Sequence, residues 1–302
     1  MYKILEPLVS WGSMFILPVS LMSGNLVVGL CTLLVGEGLS MSSYFKRMVL
    51  RVRNADIRIV HEFPPIDIQP ADQEIVPYPP VDLSFLDDLD RLKPTVYLAG
   101  PHGMFCVGMK RLLGSPFIPP GSVVMFDSKL YNMSWGATWS ARTLGHPSAP
   151  LTHKSVSGIM CSGQKNICVM PGGFVEAAGA TETIEYISLD KITYYQKMCK
   201  RYGYRLQYLM IYGGSTFYRH HDVWRDARLQ LAALDIPSAV VTPTKVFGGE
   251  ADVIAVRPFS IHLDASVSHI SDQLKAVYAS DTVTLEREHR MTMKQLEIRS
   301  CL

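Results

Sequence analysis

The chain has 302 residues, of which 48% are hydrophobic and 19% charged, with a formal net charge of +2. It is long enough for one large or two small domains, and its charged fraction falls below the roughly 25% of soluble globular domains. The balanced charge argues against a nucleic-acid partner, which would show as a basic stripe and a high isoelectric point.

The N-terminus is the unusual part. No residue from Pro7 to Gly36 carries a charge, and Glu6 and Glu37 bound the run. A secretory signal would need a basic start and a shorter apolar core; here Lys3 is the only early positive charge and Glu6 offsets it. A single span needs about 20 apolar residues. Pro18, Ser20, Ser23, Gly24 and Asn25 interrupt the run and leave two short halves, Leu8–Met22 and Leu26–Val35. The run is long enough for a single span, but this pattern favours a hairpin that enters the bilayer and returns, with a buried hairpin of a soluble core as the further alternative. Lys46, Arg47, Arg51 and Arg53 follow it and place its flanks on the cytoplasmic side.

Tyr44–Val60 alternates basic and apolar residues, as a segment lying on a membrane surface does. His61–Asp82 is proline-rich and reads as an extended connector. The expected organisation is therefore 1–43 as membrane hairpin, 44–94 as basic interfacial segment and connector, and 95–302 as the main domain.

From there strands and helices alternate. Thr95–Ala99, Ser122–Phe126, Asn166–Met170 and Tyr208–Tyr212 are strand candidates, with Ala239–Pro243 and Asp252–Pro258 later. Met104–Leu113, Phe174–Ala180, Tyr186–Tyr202, His269–Ala279 and Leu285–Ile298 have helical character. Apolar strands alternating with helices predict an α/β domain: a central mixed sheet flanked by helices.

Open α/β sheets gather their sites at the carboxyl ends of strands. The first such end here is Gly100-Pro101-His102-Gly103, a tight turn with His102 at an expected helix start. Partial positive charge at a helix N-terminus disfavours imidazolium, so His102 is expected to be neutral and able to act as a general base on an alcohol. A capping or packing histidine is the bland reading. The second end is Pro171-Gly172-Gly173-Phe174-Val175-Glu176. Its glycine N–H groups would meet an oxyanion or phosphate, and Glu176, in the first helical turn, would support the imidazole or simply suit a helix start.

Other chemistries find less support. Ser215 follows Gly213 but precedes Phe217 by two, so it is not in a G-x-S-x-G elbow. There is no phosphate loop. His220 and His221 are adjacent rather than spaced as helical metal ligands. Cys31, Cys106, Cys161, Cys168, Cys199 and Cys301 form no C-x-x-C pair or zinc-like cluster and read as free thiols in a reducing compartment. Cys106 lies one helical turn after His102; a packing cysteine is favoured over a Cys–His hydrolase dyad. No metal and no cofactor are expected.

Taken in order, strand–PHG–helix, strand–PGG-x-x-E–helix and strand–YGG resemble the diacylglycerol acyltransferase type 2 family, which includes monoacylglycerol and wax-alcohol acyltransferases. The resemblance spans roughly residues 7–300. The family's H-P-H-G matches Gly100-Pro101-His102-Gly103 at three of four positions, with Gly100 in place of the first histidine. Its G-G-x-x-E maps onto Gly172, Gly173 and Glu176. Its P-V-Y-x-F-G-E-N-like segment resembles Leu209–Ser215 without the acidic residue, and its late V-G-x-P-I strand resembles Ala255–Phe259. The H-x-x-x-x-D of glycerophosphate acyltransferases is absent, because Val107 occupies the acidic position.

The resemblance implies an acyltransferase domain over 95–302 that transfers a fatty acyl group from acyl-CoA, its co-substrate, to a lipid hydroxyl. Diacylglycerol is the expected acceptor, with monoacylglycerol, wax alcohol, a sterol or a non-catalytic lipid-binding role as alternatives. His102 and Glu176 would be catalytic, and Pro101, Gly103, Gly172 and Gly173 would line the substrate and oxyanion position. Lys154, Lys165 and Lys191 are candidates for the CoA phosphates. An endoplasmic reticulum membrane or lipid-droplet location with a cytoplasmic catalytic domain follows; homo-oligomerisation stays open.

Overall fold

The computed structural model describes residues 57–70, 93–101, 107–128, 131, 145–214, 218–220, 222–234, 241–243, 252–291 and 293–299. The expected hairpin at Pro7–Gly36 lies outside the described residues, as do His102, Gly103 and Cys106. Among the described residues no helix is long and apolar enough to cross a membrane.

The domain is α/β, built on a central mixed sheet. Its body is five parallel strands in the order β8 (Arg205–Tyr212), β3 (Thr95–Gly100), β6 (Ile167–Val169), β4 (Val123–Asp127) and β5 (Ser148–Leu151). Beyond β8 lies β11 (Asp252–Ile261), which runs antiparallel to it. Two short strands, β1 (Ile57–Glu62) and β2 (Ile66–Ile68), pair in parallel with successive stretches of β11. Pro258, which has no N–H to give a ladder, falls in the gap between them.

The central strands are near-continuous apolar runs because helices cover both faces. Every residue of β3 is buried. On one face the sheet residues Val96, Leu98, Tyr208, Met210, Tyr212 and Phe259 share a core with α2 (His153–Ser162), α4 (Ile192–Tyr202) and α6 (Val267–His289). On the other, α1 (Val107–Leu113) lays Met109 against Cys168, 3.9 Å between sulfurs. There Gly108 brings the helix close: a β-carbon on it would lie 2.6 Å from Ile211. The remaining described elements are α3 (Gly173–Gly179) packed with α5 (Arg225–Ala233), and two small sheets. One pairs β9 (Tyr218–His220) with β10 (Val241–Pro243), the other β7 (Ile184–Ser188) with β12 (Gln295–Arg299).

Three sequence expectations differ from this structure. Tyr186–Tyr202 is not one helix: Ile184–Ser188 is strand β7, buried and paired in parallel with the C-terminal β12, and α4 begins only at Ile192. The two terminal helices are instead one helix of 23 residues, α6, followed by a strand. The polar stretch Ser280–Thr284 does not break α6, because its Asp281 turns inward to a buried arginine, Arg257. Finally, part of the proline-rich connector is sheet, since β1 and β2 lie within residues 44–94.

Candidate functional site

β6, β3 and β8 are neighbours and run in parallel, so the three turns at their carboxyl ends come together. Pro101 is buried directly after β3. Gly213-Gly214 closes β8, and a β-carbon on Gly214 would lie 3.7 Å from the Pro101 carbonyl oxygen. Pro171-Gly172-Gly173 links β6 to α3 and carries Glu176 in its first turn.

Glycine is required at two of these positions for space. A β-carbon on Gly172 would overlap Cγ, Cδ and Oε1 of Glu176, whose side chain folds back across the turn. A β-carbon on Gly100 would lie 2.5 Å from the Tyr208 hydroxyl and 3.4 Å from Glu176 Oε1. Gly173 is glycine for its backbone, with φ of 50°. The bare Cα of Gly100 thus sits beside a carboxylate and a phenol.

Glu176 is 1% exposed. Its Oε1 accepts the Ser188 N–H at 3.2 Å, which ties the end of β7 to the start of α3. Tyr208 is fully buried, and its hydroxyl has no hydrogen-bond partner among the described residues. Burial, and next the charge of Glu176, hold its pKa well above the ordinary phenol value. Tyr208 therefore keeps its proton and presents an unused donor in this cluster. An unpaired buried donor costs about 1–3 kcal/mol, so the fold carries it at the expense of stability.

Of the residues singled out in the sequence, Pro101, Gly172, Gly173 and Glu176 are brought together here. His102 and Gly103 lie outside the described residues. Lys154, Lys165 and Lys191 are all exposed, and Lys165 precedes β6, at the opposite end of the sheet from Gly172. Cys168 and Cys199 are buried and their thiols pushed up by desolvation, Cys199 to about 12.

In the sequence Tyr208 stands only as a residue of a strand candidate. Its signal is one of register. Tyr208 pairs with Leu98, and the next residue on that face of β3 is Gly100, whose missing side chain leaves room for the phenol. No known family model, characterised protein or solved structure matches the chain.

Proposed function

We propose that the chain is a membrane-associated O-acyltransferase of the diacylglycerol acyltransferase type 2 kind, moving a fatty acyl group from acyl-CoA to a lipid hydroxyl, with diacylglycerol as first acceptor. The supporting observation is the meeting of three glycine-rich strand ends around Gly100, Glu176 and the unpaired hydroxyl of Tyr208. Two of those ends carry the PHG and PGG-x-x-E segments on which the family resemblance rests.

In this reading His102 takes the acceptor's hydroxyl proton as that oxygen attacks the thioester carbonyl carbon. A carbon–oxygen bond forms, the carbon–sulfur bond breaks, and the proton passes to the departing CoA thiolate. Glu176 stabilises the imidazolium that exists between the two transfers. Tyr208 donates its O–H to an oxygen of the reacting group, from a buried position where a fixed donor counts most. The apolar segment Pro7–Gly36 anchors the enzyme in the endoplasmic reticulum membrane or on a lipid droplet, with the catalytic domain on the cytoplasmic side.

One experiment tests this: the full-length chain in detergent micelles, one radiolabelled long-chain acyl-CoA, and a panel of diacylglycerol, monoacylglycerol, long-chain alcohol and sterol, resolved by chromatography. Triacylglycerol as main product is the expected result. Another ester would move the acceptor assignment within the same chemistry. Acyl-CoA binding without turnover on any acceptor would replace the enzyme with a lipid-binding relative.

A further inference from the structure

We propose that His61, Glu288 and His289 form a binding site for one Zn²⁺ ion, which clamps the outer edge of the sheet to the last turn of α6. His61 Nδ1 and His289 Nε2 stand 3.1 Å apart. One ligand atom from each of the three residues lies within 4.8 Å of the other two. A tetrahedral ion bonded at about 2.0–2.1 Å to two imidazole nitrogens holds those nitrogens about 3.3 Å apart. The histidines therefore already have the separation that one ion between them needs. Two nitrogen donors and a carboxylate suit zinc rather than calcium or magnesium, which take oxygen shells.

The backbone of β1 is irregular at the point that makes this meeting possible. Ile59 pairs with Ile254, but His61 pairs with the very next residue, Ala255, so Val60 is an extra residue in the strand. Residues two apart on a regular strand share a face. The bulge reverses that and turns His61 to the face Ala255 shares with Tyr212. α6 covers this face: Asp281 meets the Tyr212 hydroxyl, and His289 lies about two turns further along the same helix. The His61 ring rests 4.2 Å from that of Phe63 and edge-on to His289 at 5.1 Å, so its direction is fixed by packing.

The electrostatics also suit a cation. His289 is the last residue of α6, where the helix dipole is negative. Glu288 is paired with Arg287 at 2.7 Å through Oε1, but this is an open surface contact, 71% and 44% exposed, of the kind worth little. The carboxylate has a second oxygen to offer. Three protein ligands leave a fourth position for water. Because 228 residues separate His61 from His289, no spacing motif announces the site in the sequence, from which no metal is expected.

The test uses the untagged full-length chain in detergent, stripped by chelator dialysis and titrated with Zn²⁺ against a chromophoric chelator. One equivalent should bind and raise the melting temperature. His61→Ala and His289→Ala should each weaken binding by more than the ~10–100-fold that loss of a supporting neighbour costs. His153→Ala, which removes an exposed imidazole elsewhere, should change nothing. Melting of the metal-free variants checks that they fold. Should the His61 variant fail to do so, the exposed Glu288→Gln carries the test and should weaken binding about 10-fold. No stoichiometric binding, or binding indifferent to all three substitutions, would overturn the site.

Discussion

Tyr208 and Tyr212 lie four residues apart on one face of β8, and both are fully buried. Their surroundings differ. Tyr212 donates to Asp281, which Arg257 also grips through Nε at 2.6 Å and a second nitrogen at 2.5 Å. Arg257 in turn reaches the Pro64 carbonyl at 2.8 Å and lies 4.4 Å over the Phe63 ring, while the Tyr212 ring stacks on Tyr278 at 5.2 Å. The Tyr212 hydroxyl, the Asp281 carboxylate and the Arg257 guanidinium are thus matched to one another. Tyr208, four residues nearer the strand's start, has a carboxylate and a bare glycine beside it and no partner for its hydroxyl among the described residues. Matched polar groups in a core specify the fold. An unmatched one is a standing cost, tolerated where a ligand supplies the partner.

Substitutions should separate these two regions. The largest effect is expected at the turn beyond Gly100. If His102 is the base, His102→Ala lowers acyl transfer by about 100- to 10,000-fold, with a melting temperature near wild type. Cys106→Ala is the control and should keep most activity. A dead, well-folded Cys106 variant would move the chemistry off His102.

In the matched region the loss should be of stability. Asp281→Ala leaves Arg257 charged, buried and unpaired, a change that costs about 3–5 kcal/mol, read by chemical denaturation. A loss below about 1 kcal/mol would mean that water reaches the arginine. The carboxylate of the unmatched region should behave in the opposite way. Glu176→Gln should lower turnover about 10- to 1000-fold more than it raises the Michaelis constant. Unchanged turnover would reduce Glu176 to the residue that holds Ser188.

The two tyrosines give the sharpest contrast through one change, loss of a hydroxyl. Tyr212→Phe should cost about 1–3 kcal/mol and leave activity per folded molecule intact. Tyr208→Phe should leave stability unchanged or raise it by about 1 kcal/mol, yet lower turnover. Equal behaviour of the two variants would abolish the distinction.

The smallest effect is one of pH. Burial raises both phenol pKa values, so the folded chain holds protons that the unfolded chain releases above about pH 10. Their contribution is full below that value and declines as pH rises beyond it. Melting temperatures followed between about pH 8 and 11 should fall at the alkaline end, less steeply in either phenylalanine variant.

The sequence already marked β3, β4, β6 and β8, because strands buried on both faces are continuous apolar runs that end in glycine, proline or a polar residue. It also marked the turns that meet at the site. What it hid depends on distant partners. Ser188 looks like helix surface, but it lies in strand β7, paired with β12, and is buried. Gln295–Arg299 alternates exposed and half-buried residues as an edge strand does, but its charges suggest a solvated helix. Tyr208 acquires its meaning only from the register that places it beside Gly100.

The pairing of β1 and β2 with β11 also has a consequence in time. Arg257 and the Pro64 carbonyl that it holds are 193 residues apart in the chain. At roughly 5–20 residues per second on the ribosome, the first two strands of the sheet wait about 10–40 s for the strand that will accept them. Through that interval they present unsatisfied backbone edges of the kind that recruit other chains. A β1–β2 segment shielded until β11 has left the ribosome would escape such pairing. Any delay placed between residues 70 and 252 lengthens that exposure without altering a single contact of the finished fold.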